Sequence, residues 1–316
     1  MNVLLTGADG YIGRALARRL CEPGTTLQGR AVQRLTLCDL QLAPSPPDGR
    51  IDRVTGSIAD DAVIERITRA PPDVVFHLAS VPSGQSETDY ALGLRVNLQA
   101  TVALMEALRQ QGRSPRVVFT SSIAVFGSPL PSHIDDDTPL RPALSYGAHK
   151  QMAEIFLADA TRRGFVKACS VRLPGIVARP PTPTGALSAF SSELIRALVR
   201  QTPYTCPVSP AATLWLMSLP CCVDNLLHAA HCEPDPSGAG ARTLPALRVR
   251  IDEIVQAFER MAPGAGARIS YAPIESLEAQ FGRLPPLSTP AAEAAGFRHD
   301  GDVETLLRRA ASALDR

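Results

Sequence analysis

The sequence predicts an α/β fold, a doubly wound parallel sheet of the Rossmann type followed by a smaller C-terminal lobe. Two observations lead to this prediction. Short strand-like runs alternate with amphipathic helical patterns over the first half of the chain, and runs such as 3–5, 74–76 and 117–119 are continuously apolar rather than apolar at every second residue. Such runs are typical of parallel strands buried on both faces. Right-handed crossovers then place helices on both sides of the sheet.

The predicted elements divide the chain into a cofactor-binding domain at 1–173 and a substrate-binding lobe at 174–316. Strands are predicted at 3–5, 34–39, 51–55, 73–78, 116–120 and 168–173, with helices at 11–21, 61–69, 92–108 and 145–160. Prolines at 174, 180, 181 and 183 then exclude a regular element. Helices are predicted again at 187–199, 223–230, 251–261 and 303–314, and a strand at 242–244. We expect the chain to return to the first domain around 221–247, and the proline-rich stretch 43–47 to be a surface loop.

Composition excludes several classes of function. The 316 residues carry 32 basic and 31 acidic side chains, a net charge of +1, so no nucleic-acid or anionic-membrane partner is expected. No apolar run approaches the ~18 residues of a membrane helix, and no export leader is recognised. The seven cysteines include no C-x-x-C pair and no zinc-like spacing with histidine, which argues against a metal. We therefore expect a cytoplasmic enzyme.

A glycine-rich turn links the first predicted strand to the first helix. Gly7 would make the tight turn, Gly10 would let a pyrophosphate approach the backbone, and Gly13 would let the helix pack on the strand. Asp39 ends the second strand, where a carboxylate can accept both hydroxyls of an adenine ribose and repel a 2′-phosphate. The pattern favours NAD over NADP. An ordinary strand-to-helix turn, with Asp39 as a turn residue, is the alternative.

A tyrosine and a lysine stand four residues apart on one predicted helix. Tyr146 would act as the base that removes a hydroxyl proton, and a positive charge on Lys150 would lower its pKa. Lys150 is one of only two lysines in the chain, which makes a chemical role more credible than a surface pair. Ser122, at the carboxyl end of the fifth strand, would bind the reacting oxygen. We assign Ser121 to local structure, and interpret His77 as structural and His149 as exposed.

Together these motifs resemble the extended short-chain dehydrogenase/reductase family, the NAD-dependent epimerase/dehydratase group. The resemblance rests on the glycine turn, residues 77–80, Asn97, residues 120–122 and Tyr146-x-x-x-Lys150. It implies that Ser122, Tyr146 and Lys150 form a catalytic triad. It also implies that the cofactor is held by Gly7, Gly10, Tyr11, Ile12, Gly13, Asp39, Ser57, Ile58, Leu78, Ala79, Ser80, Asn97, Tyr146, Lys150, Pro174 and Ile176. Ser57 stands where the family usually has an acidic residue.

Three departures narrow the choice within the family. Ile123 and Ala124 replace the acid pair of the dehydratases, which makes dehydration improbable. The stretch 214–224 has no arginine or lysine for the diphosphate of a nucleotide sugar. The stretch 81–87, which we predict to be a loop, is small and polar, as suits a small hydroxylated substrate.

The stretches 83–85, 172–180 and 188–196 are similar to the subgroup that oxidises the C2 hydroxyl of D-erythronate, a four-carbon sugar acid, with NAD. Thr184 after Pro183 and the run 218–220 depart from that subgroup, so the exact acid stays open. The resemblance predicts a sugar-acid substrate. Its candidate contacts are Ser83, Gln85, Ser122, Tyr146 and Arg179. Arg196 is interpreted as lying on a solvated helix face.

Two other functions stay open from the sequence. One is a nucleotide-sugar 4-epimerase that retains NAD through its cycle, and the other is a non-catalytic NAD-sensing protein. The family resemblance also implies a homodimer, formed by the helices after the fourth and fifth strands. The candidate interface residues are Leu94, Leu98, Val102, Met105, Met152, Ile155 and Phe156. The same residues could instead face the sheet.

Overall fold

The computed structural model describes residues 1–44, 48–181, 189–233 and 240–314, and these residues form 14 strands and 12 α-helices. The first part of the chain contains β1 (Asn2–Thr6), α1 (Tyr11–Cys21), β2 (Thr26–Leu27), β3 (Arg30–Ala31), β4 (Arg34–Asp39), β5 (Ile51–Thr55), α2 (Asp61–Thr68), β6 (Val74–His77), α3 (Ser83–Thr88), α4 (Tyr90–Leu94), α5 (Ala100–Gln110), β7 (Arg116–Ser122), α6 (Ser145–Arg162) and β8 (Lys167–Leu173). The second part contains β9 (Gly175–Val177), α7 (Phe190–Arg200), β10 (Tyr204–Cys206), β11 (Thr213–Ser218), α8 (Leu219–Ala229), β12 (Ala241–Thr243), β13 (Leu247–Arg250), α9 (Ile251–Met261), β14 (Ile269–Tyr271), α10 (Glu275–Phe281), α11 (Pro290–Ala294) and α12 (Val303–Leu314).

The large sheet has the strand order β12-β8-β7-β6-β1-β4-β5, and every neighbouring pair is parallel. The doubly wound parallel fold predicted from the sequence is confirmed. The order reverses between β1 and β6, and ligands of such sheets bind at this reversal, beyond the carboxyl ends of the strands. The turns after β1, β6 and β7 all lie at these carboxyl ends.

Both faces of the large sheet are buried, which explains the continuous apolar strands. Leu5 lies in the apolar cluster that includes Leu16 of α1 and Leu226 of α8. Leu4, the preceding residue, lies in the opposite cluster with Leu104 of α5 and Leu157 of α6. Because successive side chains of a strand point to opposite faces, both must be apolar.

A second, three-stranded sheet in the order β13-β11-β9 carries the C-terminal part of the structure. Strand β11 pairs parallel to β9 and antiparallel to β13. Residues of α7, α9 and α12 pack with it in a separate apolar cluster. Between these elements, β12 pairs with β8 at the edge of the large sheet, and α8 packs in the cluster of α1.

The structure corrects several element boundaries. The stretch 81–87 is not a loop, because α3 begins at Ser83. The helix predicted at 92–108 is interrupted by one π-helical turn, Arg95–Gln99. Helix α8 begins at Leu219 rather than at 223, because Ser218 accepts a hydrogen bond from the Cys221 backbone N–H and caps it. Within the described residues no helix is both long and apolar enough to span a membrane.

Two predictions fall on residues outside the described ranges. These are most of the proline-rich stretch 43–47 and the segment around Pro183 and Thr184, which includes the first residues of the helix predicted at 187–199.

Candidate active site

The glycine turn between β1 and α1 is tightly packed on one side and open on the other. Gly7 has a φ of +70°, and a Cβ there would lie 2.6 Å from the Ala79 nitrogen. A Cβ on Gly13 would lie 2.0 Å from the Gly7 carbonyl oxygen. At Gly10 the only atom that a Cβ would approach is the same oxygen, at 3.3 Å. The turn can therefore accept a phosphate against the backbone at the N-terminus of α1, where Tyr11 and Ile12 begin the helix.

Asp39 lies beside this turn at the carboxyl end of β4. Its carboxylate accepts hydrogen bonds from the backbone N–H groups of Asp9, at 2.8 Å, and Leu40, at 2.7 Å. Burial raises the pKa of Asp39, and the hydrogen bonds from Asp9 and Leu40 oppose that shift. The position suits an acceptor for ribose hydroxyls. Ile58 is buried nearby after β5, and Ser57 accepts a bond from the Ala59 N–H at 3.1 Å.

Asn97 fixes the segment that follows β6. Its Oδ1 accepts from the Val81 N–H at 2.7 Å, and its Nδ2 donates to the Val81 carbonyl and the Ser86 hydroxyl, both at 3.1 Å. Asn97 is fully buried and its amide is satisfied by protein groups. It therefore holds in place the backbone that follows Leu78, Ala79 and Ser80, and its cofactor-binding role stays a prediction.

The structure brings Ser122, Tyr146 and Lys150 together. Ser122 ends β7, and its Oγ accepts from the Ala124 N–H at 3.1 Å. Tyr146 lies in the first turn of α6, and Lys150 is buried one turn later. The Lys150 Nζ donates to the Thr120 carbonyl at 2.7 Å and lies 5.6 Å from the centre of the Tyr146 ring.

Burial and nearby charges act in opposite directions on the Tyr146 phenol. Burial raises the Tyr146 pKa, and the leading opposing influence is the Arg179 cation, followed by the hydroxyls of Ser80 and Ser122. Burial also lowers the pKa of Lys150 to about 7, against the influence of Glu154. The predicted effect of Lys150 on the Tyr146 pKa, which acts together with the positive nicotinamide ring of the bound cofactor, stays a prediction.

The sequence does not predict a buried ion pair that includes Glu154, which lies on α6 one turn after Lys150. Arg172 Nη2 lies 2.8 Å from Glu154 Oε2, and both side chains are buried. Ser121 donates a hydrogen bond to the same carboxylate, so its structural role is confirmed. Glu154 stands four residues after Lys150 on α6, and this spacing could have pointed to it.

The two histidines near the site have structural positions. His77 is buried with its ring nitrogens bonded to Thr6 Oγ1 at 2.7 Å and Thr101 Oγ1 at 2.9 Å, as predicted. Burial lowers its pKa to about 3, which keeps the ring neutral. His149, in contrast, is not exposed. Only 1% of its surface is accessible, and its ring packs against Tyr90 with centroids 5.9 Å apart. The packing of α4 on α6, absent from any local pattern, covers it.

A cavity of ≈ 220 Å³ opens next to Ser122 and Tyr146. Its apolar wall comes from the stretch 123–144 and from the second sheet, with Phe190 of α7 and Phe281 of α10. Its polar lining residues are Ser83, Ser122, Ser128, Tyr146, Arg179, Ser191, Ser192 and Gln280. Pro174 and Ile176 also line it. Gln85 is exposed and is not among the lining residues, so this candidate contact is not supported. Gln280 was missed, because it belongs to α10 and no motif marks it.

Arg179 is held at the cavity by its own backbone. Its N–H donates to the Ser192 Oγ at 3.0 Å, and its carbonyl accepts from the guanidinium of Arg196. Arg196 is half-buried rather than on a solvated face, and burial lowers its pKa. The prediction for Arg196 is therefore wrong, because the chain after β9 folds over that side of α7.

The comparisons with known proteins indicate the same family as the sequence motifs. The model of the NAD dependent epimerase/dehydratase family matches residues 3–209. The D-erythronate dehydrogenase of Cupriavidus necator is 40% identical over 314 residues, 98% of this chain and 97% of that protein. The D-erythronate dehydrogenase of Haemophilus influenzae is 34% identical over 72% of each chain. Among solved structures, the nucleoside-diphosphate-sugar epimerase from Agrobacterium tumefaciens has a TM-score of 0.90 at 33% identity, covering 97% of this chain and 92% of that one.

Proposed function

This chain belongs to the NAD dependent epimerase/dehydratase family and is an NAD-dependent oxidoreductase of the extended short-chain type, and we propose that its substrate is D-erythronate. The reaction would oxidise the C2 hydroxyl to give 2-dehydro-D-erythronate and NADH. The observation that carries this proposal is the ≈ 220 Å³ cavity beside Tyr146, with Arg179 on its wall. Its volume lies below the about 300–1,000 Å³ of pockets for larger ligands. It suits a four-carbon acid better than a nucleotide sugar.

We propose the following roles for the residues at the reacting carbon. Tyr146 Oη takes the proton of the C2 hydroxyl, and Ser122 Oγ holds the same oxygen by a hydrogen bond. When bound, the cofactor would supply the nicotinamide ring as the acceptor of the hydride that leaves C2. Lys150 holds the ribose next to the nicotinamide and, when charged, favours the phenolate form of Tyr146. The nearby Glu154 carboxylate favours the charged form of Lys150.

Among the described residues that line the cavity, Arg179 is the one cation, and it is the candidate for the substrate carboxylate. A guanidinium can bind a carboxylate through two parallel N–H···O bonds. Its charge also favours the Tyr146 phenolate, so Arg179 would serve both binding and proton transfer. Ser83 would add a hydrogen bond from the start of α3.

The cofactor would lie across the carboxyl ends of β1, β4, β6 and β7. The residues that fit it are the glycines of the first turn with the N–H groups of Tyr11 and Ile12, Asp39 at the ribose, Ser57 and Ile58 at the adenine, and Leu78, Ala79, Ser80, Pro174 and Ile176 along the rest of the molecule. Asn97 would act through the segment that it fixes. Asp39 favours NAD, since a 2′-phosphate would meet its negative charge.

The test is a substrate panel with purified protein and NAD, in which NADH absorbance is followed. The panel holds D-erythronate, L-threonate, D-threonate, D-glucuronate and UDP-glucose. NADH formed from D-erythronate, with little from the other acids, supports the proposal. No NADH from any acid, together with epimerisation of UDP-glucose, would replace it with a 4-epimerase that retains its NAD.

A Tyr146→Phe variant completes this test. It keeps the ring and the packing of α6, so NAD should still bind. Turnover should fall by about 10²–10⁴-fold, the usual contribution of a positioned acid–base group. If turnover were retained, Tyr146 would not be the base, and absence of turnover in both proteins would favour an NAD-sensing role.

We also propose a cytoplasmic homodimer. The seven cysteines are all free, which fits a reducing compartment. On α6, Ile155 is 64% exposed and Met152 42% exposed, and Phe156 is half-buried. On the neighbouring helices Leu94, Leu98 and Val102 are half-buried, whereas Met105 belongs to the core and is removed from the candidate interface. A second copy packed on this face would bury these side chains.

A further inference from the structure

A second cavity lies at the amino ends of the strands of the large sheet, whereas the candidate active site lies at their carboxyl ends. Its volume is ≈ 490 Å³. It is lined by Gln28, Arg30, Pro72, Asp73, Arg113, Ser114, Pro115, Arg116, Lys167, His231 and Glu233. Arg116 and Lys167 are the first residues of β7 and β8, so the cavity faces the amino ends of strands whose carboxyl ends form the active site.

Arg116 is a buried cation with few polar partners among the described residues. Only 4% of its side chain is exposed, yet its Nε and Nη1 make no hydrogen bond to any of the described residues. Its ion-pair partner within the described part of the chain is Glu233, whose carboxylate lies 3.6 Å from Nη2 and whose side chain is 86% exposed. A buried guanidinium that lacks hydrogen bonds is costly, and such groups are normally satisfied by a partner or a ligand.

The charges around Arg116 are predominantly positive. Arg30, Arg113 and Lys167 join it on the cavity wall, and the acidic lining residues are Asp73 and Glu233. Asp73 is already engaged, since its Oδ2 accepts from the Asn2 N–H at 2.6 Å and its Oδ1 lies 3.4 Å from Arg30 Nη1. The chain as a whole carries a net charge of only +1, so the positive excess is local to this cavity.

We propose that this cavity is a second ligand site, which binds the phosphate group of a small phosphorylated metabolite. Arg116 would give the buried, directional hydrogen bonds of a guanidinium fork, a geometry that matches phosphate oxygens. Lys167 and Arg113, both exposed at the rim, would neutralise the second negative charge. Ser114 and Gln28 add neutral polar groups to the wall.

The test measures the melting temperature of the protein with saturating NAD, so that the glycine turn is already occupied. Inorganic phosphate, pyrophosphate and citrate are titrated at constant ionic strength, with chloride as the reference. We expect a saturable rise in melting temperature with phosphate and with pyrophosphate, half-maximal at about 1 mM or below. No saturable rise with either phosphate probe overturns the proposal, and a rise with citrate alone overturns the assignment to phosphate.

Two variants locate the effect. Arg116→Met keeps the length of the side chain and removes the buried charge, so without phosphate its melting temperature should not fall, and the phosphate response should be lost. Lys167→Gln changes an exposed rim residue, leaves folding intact and should raise the half-saturating concentration several-fold. Arg268→Gln, an exposed cation remote from the cavity lining, is the matched control and should respond as the parent does. A full phosphate response in both cavity variants would place the ion elsewhere and refute the proposal.

Discussion

Arg179 is expected to contribute both to substrate binding and to proton transfer. It lies on the wall of the substrate cavity, and its charge is the strongest influence that opposes the burial-raised pKa of Tyr146. Its backbone is held from both sides, by Ser192 and by Arg196. A cation held in this way can favour the phenolate even before the positively charged cofactor is present.

Replacing Arg179 by Gln should therefore change both the affinity and the pH dependence. KM for the acid should rise by about 10–100-fold, since a charged hydrogen-bonded pair contributes about 1.5–3 kcal/mol. The Tyr146 pKa should rise further, because the charge that opposes burial is gone. The base must be deprotonated, so the acidic limb of the kcat/KM profile should move to higher pH. Arg179→Lys keeps the charge and should leave that limb near its original position. A limb that does not move in the Gln variant would assign the pH dependence to another group.

Asp39 is expected to set the choice of cofactor. Its carboxylate is fixed by the N–H groups of Asp9 and Leu40 next to the glycine turn. Asp39→Asn removes the charge that repels a 2′-phosphate, and the ratio of kcat/KM for NAD over NADP should fall by about tenfold or more, equivalent to about 1.4 kcal/mol. The ratio is measured by initial rates with both cofactors. Asp52→Asn, on the surface of β5, serves as control, and an unchanged ratio in the Asp39 variant would remove it from ribose recognition.

At the scale of the elements, the contact between β1 and α1 depends on Gly13. A methyl group there would lie 2.0 Å from the Gly7 carbonyl oxygen, so helix and strand must separate to admit it. Gly13→Ala should lower the free energy of unfolding by about 1–3 kcal/mol, as overpacking does, and weaken NAD binding. Gly49→Ala is the matched control, because a Cβ at Gly49 meets no atom within 4 Å. Denaturant unfolding and NAD titration would measure both effects, and equal behaviour of the two variants would contradict this account of the turn.

The elements of the large sheet could be predicted because their signals are local. Strands buried on both faces are continuous apolar runs, and the glycine turn and the Tyr146–Lys150 spacing mark the helices that begin at the ligand edge. Beyond Ser122 and Tyr146, much of the substrate-cavity lining carries no such signal. Gln280 comes from α10, and the Arg179 backbone is fixed by residues of α7, so both depend on how distant elements pack.

The predictions for His149 and Arg196 are wrong for the same reason, because they depend on how distant elements pack. The position of His149 on α6, away from Tyr146, predicts an exposed side chain, but α4 covers it. The amphipathic pattern of α7 predicts a solvent-exposed Arg196, but its guanidinium donates a hydrogen bond to the carbonyl of Arg179. Periodicity describes one helix at a time, whereas burial depends on its neighbours.

At the scale of the whole molecule, β7 joins two different chemical environments. Its carboxyl end presents Ser122 to the candidate active site, and its amino end presents Arg116 to the basic cavity. Between these two ends β7 is buried, with Val117, Val118 and Phe119 in its middle, so each end can take its own ligand without sharing a side chain. Loss of Arg116 and loss of Tyr146 should therefore have separable effects.

The exposed apolar face of α6 leads to the last prediction, on the state of association. Ile155 and Met152 are exposed next to helices whose Leu94 and Leu98 are half-buried, and a second copy would remove this surface from water. Light scattering should give twice the 33.7 kDa chain mass. Ile155→Glu places a charge in the interface and should return the mass of a single chain. Ile274→Glu, at an exposed isoleucine outside α6, should leave the dimer intact. A single-chain mass for the parent protein, or a dimer that persists in Ile155→Glu, would contradict this interface.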